Sequence, residues 1–220
     1  MKQKNLCYYW PEDFELDGDL SKDVWQEVPW SPRFVDVIGN NPAILDTKAA
    51  VAWNEDYLYV AFDCDSPYPK ASMKNKGDLL WQDNDIEIFI DGGDTYYELQ
   101  VNGFNTIYEA FYIWRDAYLE NPIYRKQAEF DVIENNARVF GGNHDRTGLH
   151  FWNGSHPRGN RWAFLNWEIE GLETAVKVHG QLNDDTSPSD RVTYEIKIPW
   201  KSMKWLAEGR SYPPKEGDIW

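Results

Sequence analysis

Trp81 stands just ahead of the alternating run Asp85-Ile86-Glu87-Ile88-Phe89-Ile90-Asp91. A second run, Tyr96-Tyr97-Glu98-Leu99-Gln100-Val101-Asn102, follows a Gly92-Gly93-Asp94 turn. In the first run Ile86, Ile88 and Ile90 fall on one face of a strand, and Glu87 and Phe89 on the other. Paired as a hairpin, the two runs bring Trp81, Glu87, Gln100 and Asn102 around one polar, aromatic-walled surface. That combination suits a pyranose. The C–H face of the ring stacks on an indole, while carboxylate and amide groups supply the fixed acceptors and donors that hydroxyls need.

Other chemistries are less well served. Asp63 and Asp65 share a face at the end of a strand, with Asp83 near in sequence, and carboxylates at strand ends can hold calcium, the one cofactor these residues suggest. His144, His150 and His156 lie six residues apart in a glycine-rich stretch, which is not a zinc spacing. A glycoside hydrolase needs two opposed carboxylates across a cleft. Asp85 and Glu87, two apart on one strand, point the same way instead. The chain contains no nucleophile elbow, phosphate loop, His-Glu-x-x-His or dinucleotide fingerprint. A polysaccharide-active hydrolase, or an accessory domain of one, is therefore the alternative to a non-catalytic binder. A haem-binding role would need axial ligands, for which Met73, Met203 and four histidines are available.

The elements that must position these residues are many and short. Residues 14–19 read as an opening strand and turn, with Ser21 as N-cap of a helical turn over 22–26. Strands are predicted over 34–38, 48–53, 57–62, 86–90, 96–102, 106–114, 174–180 and 192–199, with hairpin turns at 54–56 and 92–94. Residues 202–206 read as a helical turn. Residues 115–165, rich in Gly, Asn, His and Arg, read as a long loop excursion ordered by Phe151, Trp152, Trp162 and Phe164. The fold class is all-β: one antiparallel β-sandwich, jelly-roll-like, over residues 1–220.

At 220 residues the chain is long enough to bury a core without staples. Its formal charge of −15 excludes a nucleic-acid partner, because no basic cluster is present to release counterions. The 12 Trp, 13 Tyr and 10 Phe are mostly core and strand formers, with a minority left for binding platforms. Cys7 and Cys64 make no framework and read as free, buried thiols. No run is apolar for long enough to span a bilayer, and Pro11, Glu12 and Asp13 interrupt the N-terminal stretch before any signal-peptide h-region.

The ordered set of signals resembles carbohydrate-binding module family 9 and its bacterial relatives. The pieces are Leu16-Asp17-Gly18-Asp19-Leu20 with Val24-Trp25, then Tyr57 to Phe62, Trp81 with Asp85 to Asp91, and Tyr97 to Asn102. Gly171 to Val176, Gly180 to Asp184 and Tyr194 to Trp200 follow. The resemblance implies a sugar-binding β-sandwich, often linked to a polysaccharide-degrading glycoside hydrolase, extracytoplasmic, and calcium-bound in some members. It implies that two tryptophans clamp a terminal sugar. Trp81 matches the first, Glu87 an acidic ligand and Asn102 an asparagine ligand, and Gln100 stands where an arginine is found. Family members continue past Gly217-Asp218-Ile219-Trp220 with further strands and the second tryptophan. The second wall is therefore expected from Trp114, Trp152 or Trp162, with the 115–165 stretch flanking the site.

Overall fold

The computed structural model describes residues 5–36, 41–141, 156 and 158–220. In chain order the elements are β1 (Tyr8–Tyr9), α1 (Asp23–Glu27), β2 (Thr47–Trp53), β3 (Tyr57–Asp65), β4 (Asp85–Asp91), β5 (Thr95–Asn102) and β6 (Ile107–Trp114). Next come α2 (Arg115–Glu120), α3 (Pro122–Arg125), β7 (Arg138–Phe140), β8 (Arg161–Phe164), β9 (Glu173–Val178) and β10 (Arg191–Pro199). They form two five-stranded sheets, ordered β1-β2-β3-β10-β9 and β4-β5-β6-β8-β7. Every pair is antiparallel except β1–β2.

Period-2 alternation explains the sandwich. Val60 and Phe62 of β3 and Val192, Tyr194, Ile196 and Ile198 of β10 turn one way. Ile86 and Ile90 of β4, Tyr97, Leu99 and Val101 of β5, and Phe111 and Ile113 of β6 meet them in a single buried cluster. The outer face of the first sheet is covered by the N-terminal segment. There Ala50, Ala52 and Ala61 leave room for Val24, Trp25 and Val28, and Phe14 stacks on Tyr59 at 4.6 Å. The outer face of the second sheet is only partly covered, and it carries the site described below.

The expected strand over residues 14–19 is absent. Its backbone donors are used elsewhere: the N–H groups of Asp17 and Gly18 donate to the buried carboxylate of Glu195 at 3.0 and 2.7 Å. The same carboxylate accepts from Trp25 Nε1 at 2.7 Å and Lys22 Nζ at 2.9 Å. Gly18 sits at φ +77°, and a Cβ there would lie 2.6 Å from the Lys177 amide nitrogen, so only glycine fits. This anchor also shifts α1: Lys22, not Ser21, is its N-cap, with no side-chain cap.

Residues 34–36 contribute one isolated bridge, Val35 to Pro42, instead of a full strand; the remainder of that predicted strand lies outside the described residues. The described parts of the 115–165 stretch are more regular than their composition suggests. They hold α2, α3, a 3-10 turn at Ala128–Phe130, and strands β7 and β8. β8 is integral to the second sheet, with Trp162 and Phe164 on its inner side opposite Ile113 and Phe111. Cys7 and Cys64 are free, and Cys7 is exposed, not buried. Among the described residues no helix is long and apolar enough to cross a membrane.

Candidate functional site

The register settles which side chains share the outer face of the second sheet. Glu87 lies opposite Gln100, Phe89 opposite Glu98 and Asp85 opposite Asn102. Gln100 in turn faces Tyr108 on β6, and Tyr96 faces Tyr112. Trp114 lies opposite Arg161 on β8. The pairing of β4 with β5 is the hairpin the sequence predicts, and it does gather Glu87, Gln100 and Asn102 on one face.

Trp81 joins them through its neighbour. Leu80 is fully buried in a small cluster on this outer face with Tyr108, Ala110, Tyr112 and Ala163. It pins the 3-10 turn Leu80–Gln82 to the sheet. Trp81, the next residue, is thrown outward and is 59% exposed. Its backbone N–H donates to Gln100 Oε1 at 3.1 Å.

Gln100 is itself 2% exposed. Its Nε2 donates to Glu87 Oε1 at 3.1 Å and to Glu98 Oε1 at 2.7 Å. Tyr112 OH donates to the other Glu98 oxygen at 2.8 Å. Tyr112 stacks on Tyr96 at 4.3 Å with a 10° interplanar angle, and Arg161 Nε donates to the Tyr96 hydroxyl. The network thus holds Trp81 and two carboxylates in fixed relation. Burial, and then the charge of Glu98, pushes the Glu87 carboxyl above its ordinary range.

Residues 16–118 match the family model described as "Carbohydrate family 9 binding domain-like". That segment, a little under half of the chain, is what resembles the family. None of the curated proteins matches the chain. Among solved structures, a candidate carbohydrate-binding protein from Bacteroides uniformis ATCC 8492 is similar, with a TM-score of 0.54 at 10% identity over 89% of this chain and 72% of that one. At that identity the likeness is one of fold. Two structures of a carbohydrate binding module family 9 from Caldicellulosiruptor kristjanssonii, in complex with cellotriose and with glucose, give TM-scores of 0.36 and 0.38 at 13% identity. Each covers 87% of this chain, and 83% and 84% of its own.

The predicted residues divide into those at the surface and those beneath it. Trp81 and Glu87 are exposed. Gln100 braces them from below. Asn102 is fully buried: its Nδ2 donates to Met73 O at 2.8 Å and Asp83 Oδ2 at 3.0 Å, and its Oδ1 accepts from the N–H groups of Phe104 and Thr106. It shapes the 102–106 turn and lies under the surface. Trp114 does lie on the outer face but is buried. Its ring is covered by His156 at 4.4 Å and by the guanidinium groups of Arg158 and Arg161, each at 5.5 Å. Trp162 is on the inner side of β8, and Trp152 lies outside the described residues, as do His144 and His150. The residues that sequence reasoning passed over are Phe89, Glu98, Tyr96, Tyr112 and Arg161. The alternation that selected Glu87 and Gln100 also selects Phe89 and Glu98, so that signal was present.

The proposed carboxylate site for calcium does not assemble from Asp63, Asp65 and Asp83. Asp63 pairs with Arg191 at 3.1 Å. Asp83 accepts from Ser72, Met73 and Asn102. Among the described residues no group of three or more His, Cys, Asp or Glu is placed to hold a metal ion. Asp85 is the unusual carboxylate. One of its oxygens is buried with no hydrogen-bond partner. It borders a cleft of about 510 Å³ lined also by Phe62, Cys64, Ile86, Val192 and Tyr194. Burial first, and then the charges of Glu87 and Asp83, raise its carboxyl to about 7.

Proposed function

We propose that this chain is a non-catalytic carbohydrate binder that docks a plant-type oligosaccharide, or the end of a polysaccharide chain, on Trp81. The observation that carries the reading is the pairing of an outward indole with a buried amide that ties it to Glu87. Glu87, exposed on the same face, offers unused acceptor sites for the hydroxyls of a pyranose stacked on the indole. The match to the family 9 binding domain-like model supports the same assignment. A disaccharide of about 23 heavy atoms, at roughly 0.3 kcal/mol per atom, would bind with about 7 kcal/mol, a Kd near 10 µM. A linked or co-operating glycoside hydrolase is the partner this role calls for.

Titration calorimetry with cello- and xylo-oligosaccharides on the wild type and Trp81→Ala tests the reading. Loss of most binding by a variant with an unchanged far-UV spectrum supports it, and unchanged affinity refutes the site. The hydrolase alternative draws on the raised Asp85 and Glu87 carboxyls. Both stand on one strand, however, and do not oppose each other across a cleft. Release of new reducing ends on incubation with the same oligosaccharides would decide for it.

A further inference from the structure

We propose that Phe89 is a second stacking platform, so that the site engages at least two successive pyranose units instead of one. The inference rests on the carbohydrate reading of the Trp81 surface.

Phe89 lies two residues beyond Glu87 on β4, hence on the same outer face and about 7 Å further along the strand. That distance is comparable to the length of one sugar unit. The ring is 56% exposed. Exposure by itself is no signal here, since Ile44, Ile133 and Ile219 are more exposed still. What separates Phe89 from them is its surroundings.

Its inward edge rests against Tyr96, with ring centroids 6.5 Å apart at 45°. Tyr96 is stacked on Tyr112 and held by Arg161. The Phe89 ring is thus backed by an ordered aromatic ladder, and it binds without first losing much freedom. Directly opposite on β5 is Glu98, and Glu87 and Asp91 follow on the same face of β4. Glu98 accepts one hydrogen bond on each oxygen, which leaves acceptor capacity on the same carboxylate.

An aromatic ring set among three carboxylates is poorly suited to the core of a protein interface, where charged residues are depleted. It is well suited to a ligand that presents C–H faces to rings and O–H donors to carboxylates in turn. An oligosaccharide does this at every unit. With the terminal unit on Trp81, the next units pass over Glu87 and reach Phe89.

The test is a ladder of cello- and xylo-oligosaccharides, from the monosaccharide to the hexasaccharide, titrated against wild type, Phe89→Ala, Phe89→Trp and Trp81→Ala, each checked by far-UV spectrum and melting temperature. Wild-type affinity is expected to climb from one unit to three. Phe89→Ala is expected to bind the monosaccharide as the wild type does and to lose on the order of tenfold for the trisaccharide and longer. Phe89→Trp should restore or exceed the wild-type climb, and Trp81→Ala should lose binding at every length. If Phe89→Ala climbs in parallel with the wild type, the second platform is wrong while the Trp81 site stands. If Trp81→Ala binds as the wild type does, or no length binds, the underlying carbohydrate reading fails and this inference falls with it.

Discussion

The backbone N–H of Trp81 donates to the side-chain carbonyl of Gln100 across 3.1 Å, although the two residues are 19 apart in sequence. The bond makes the position of an exposed indole depend on a buried amide. The other end of that amide holds Glu87 and Glu98. Platform and acceptors are therefore set by one side chain that itself stays below the surface.

Replacing Gln100 with Leu keeps the approximate volume but removes this tether. The Trp81 N–H and one oxygen each of Glu87 and Glu98 lose a partner. Leaving buried polar groups unsatisfied costs roughly 1–3 kcal/mol. Gln100→Leu is expected to lower stability by about that amount in urea denaturation, and to weaken oligosaccharide binding several-fold at temperatures where the variant is still folded. Wild-type affinity in a destabilised variant would show that the tether does not position Trp81.

The sequence alternation was enough to place β3, β4, β5, β6 and β10 and to choose the face carrying Glu87 and Gln100. It was not enough to say how deep each residue on that face lies. Asn102 and Trp114 obey the same period as Glu87. One is roofed by the 72–83 segment through Met73 and Asp83, and the other by Arg158, Arg161 and His156. Those covers come from distant parts of the chain, and alternation within a strand carries no information about them. Strands β7 and β8, of three and four residues, are too short for periodicity to separate from loop. Residues 14–19 look like a strand because their polar and apolar residues alternate, yet the amides of Asp17 and Gly18 are claimed by Glu195, 178 and 177 residues away.

Glu195 gives the second prediction. Its carboxylate is fully buried and accepts from two backbone amides, the Trp25 indole and Lys22. Glu195→Ala strands those donors and is expected to cost about 3–5 kcal/mol. Because Glu195 is on the first sheet and Trp81 is in the turn pinned to the second, sugar affinity of the folded fraction should be unchanged. Chemical denaturation paired with calorimetry separates the two effects, and a parallel loss of affinity would contradict this division of labour.

Glu87 should confer a pH dependence on binding. Its carboxyl is raised above the ordinary glutamate value by burial and by Glu98. As pH falls, it is protonated earlier than an ordinary glutamate, and the ligand loses an anionic acceptor. Affinity should therefore weaken on acidification starting from a pH above the usual glutamate range, and Glu87→Gln should bind more weakly at neutral pH with that limb of the profile removed. A profile identical in wild type and variant would take Glu87 out of the site.

Asp85 should make the folded state less stable as pH rises from about 4 to about 7. Its carboxyl is raised from 3.8 to about 7, so between those values the folded chain holds a proton that the unfolded chain has already released. The unfolded state binds fewer protons there, and stability falls with increasing pH across the window, levelling off above it. The groups around Asp85 are Glu87, Asp83 and Glu98, with Asp65, Lys70, Cys64 and Tyr194 bordering the same cleft. The carboxylates of Asp13, Asp17, Asp19, Asp83 and Asp116 are shifted downward, and their contributions are lost only at lower pH. Comparing wild type with Asp85→Asn in urea at fixed pH steps cancels most of these shared contributions. The stability difference should move in favour of the variant from pH 4 to 7 and hold constant above that. A difference that stays flat from pH 4 to 7 would mean that the buried, unpartnered oxygen of Asp85 titrates like an ordinary surface carboxylate.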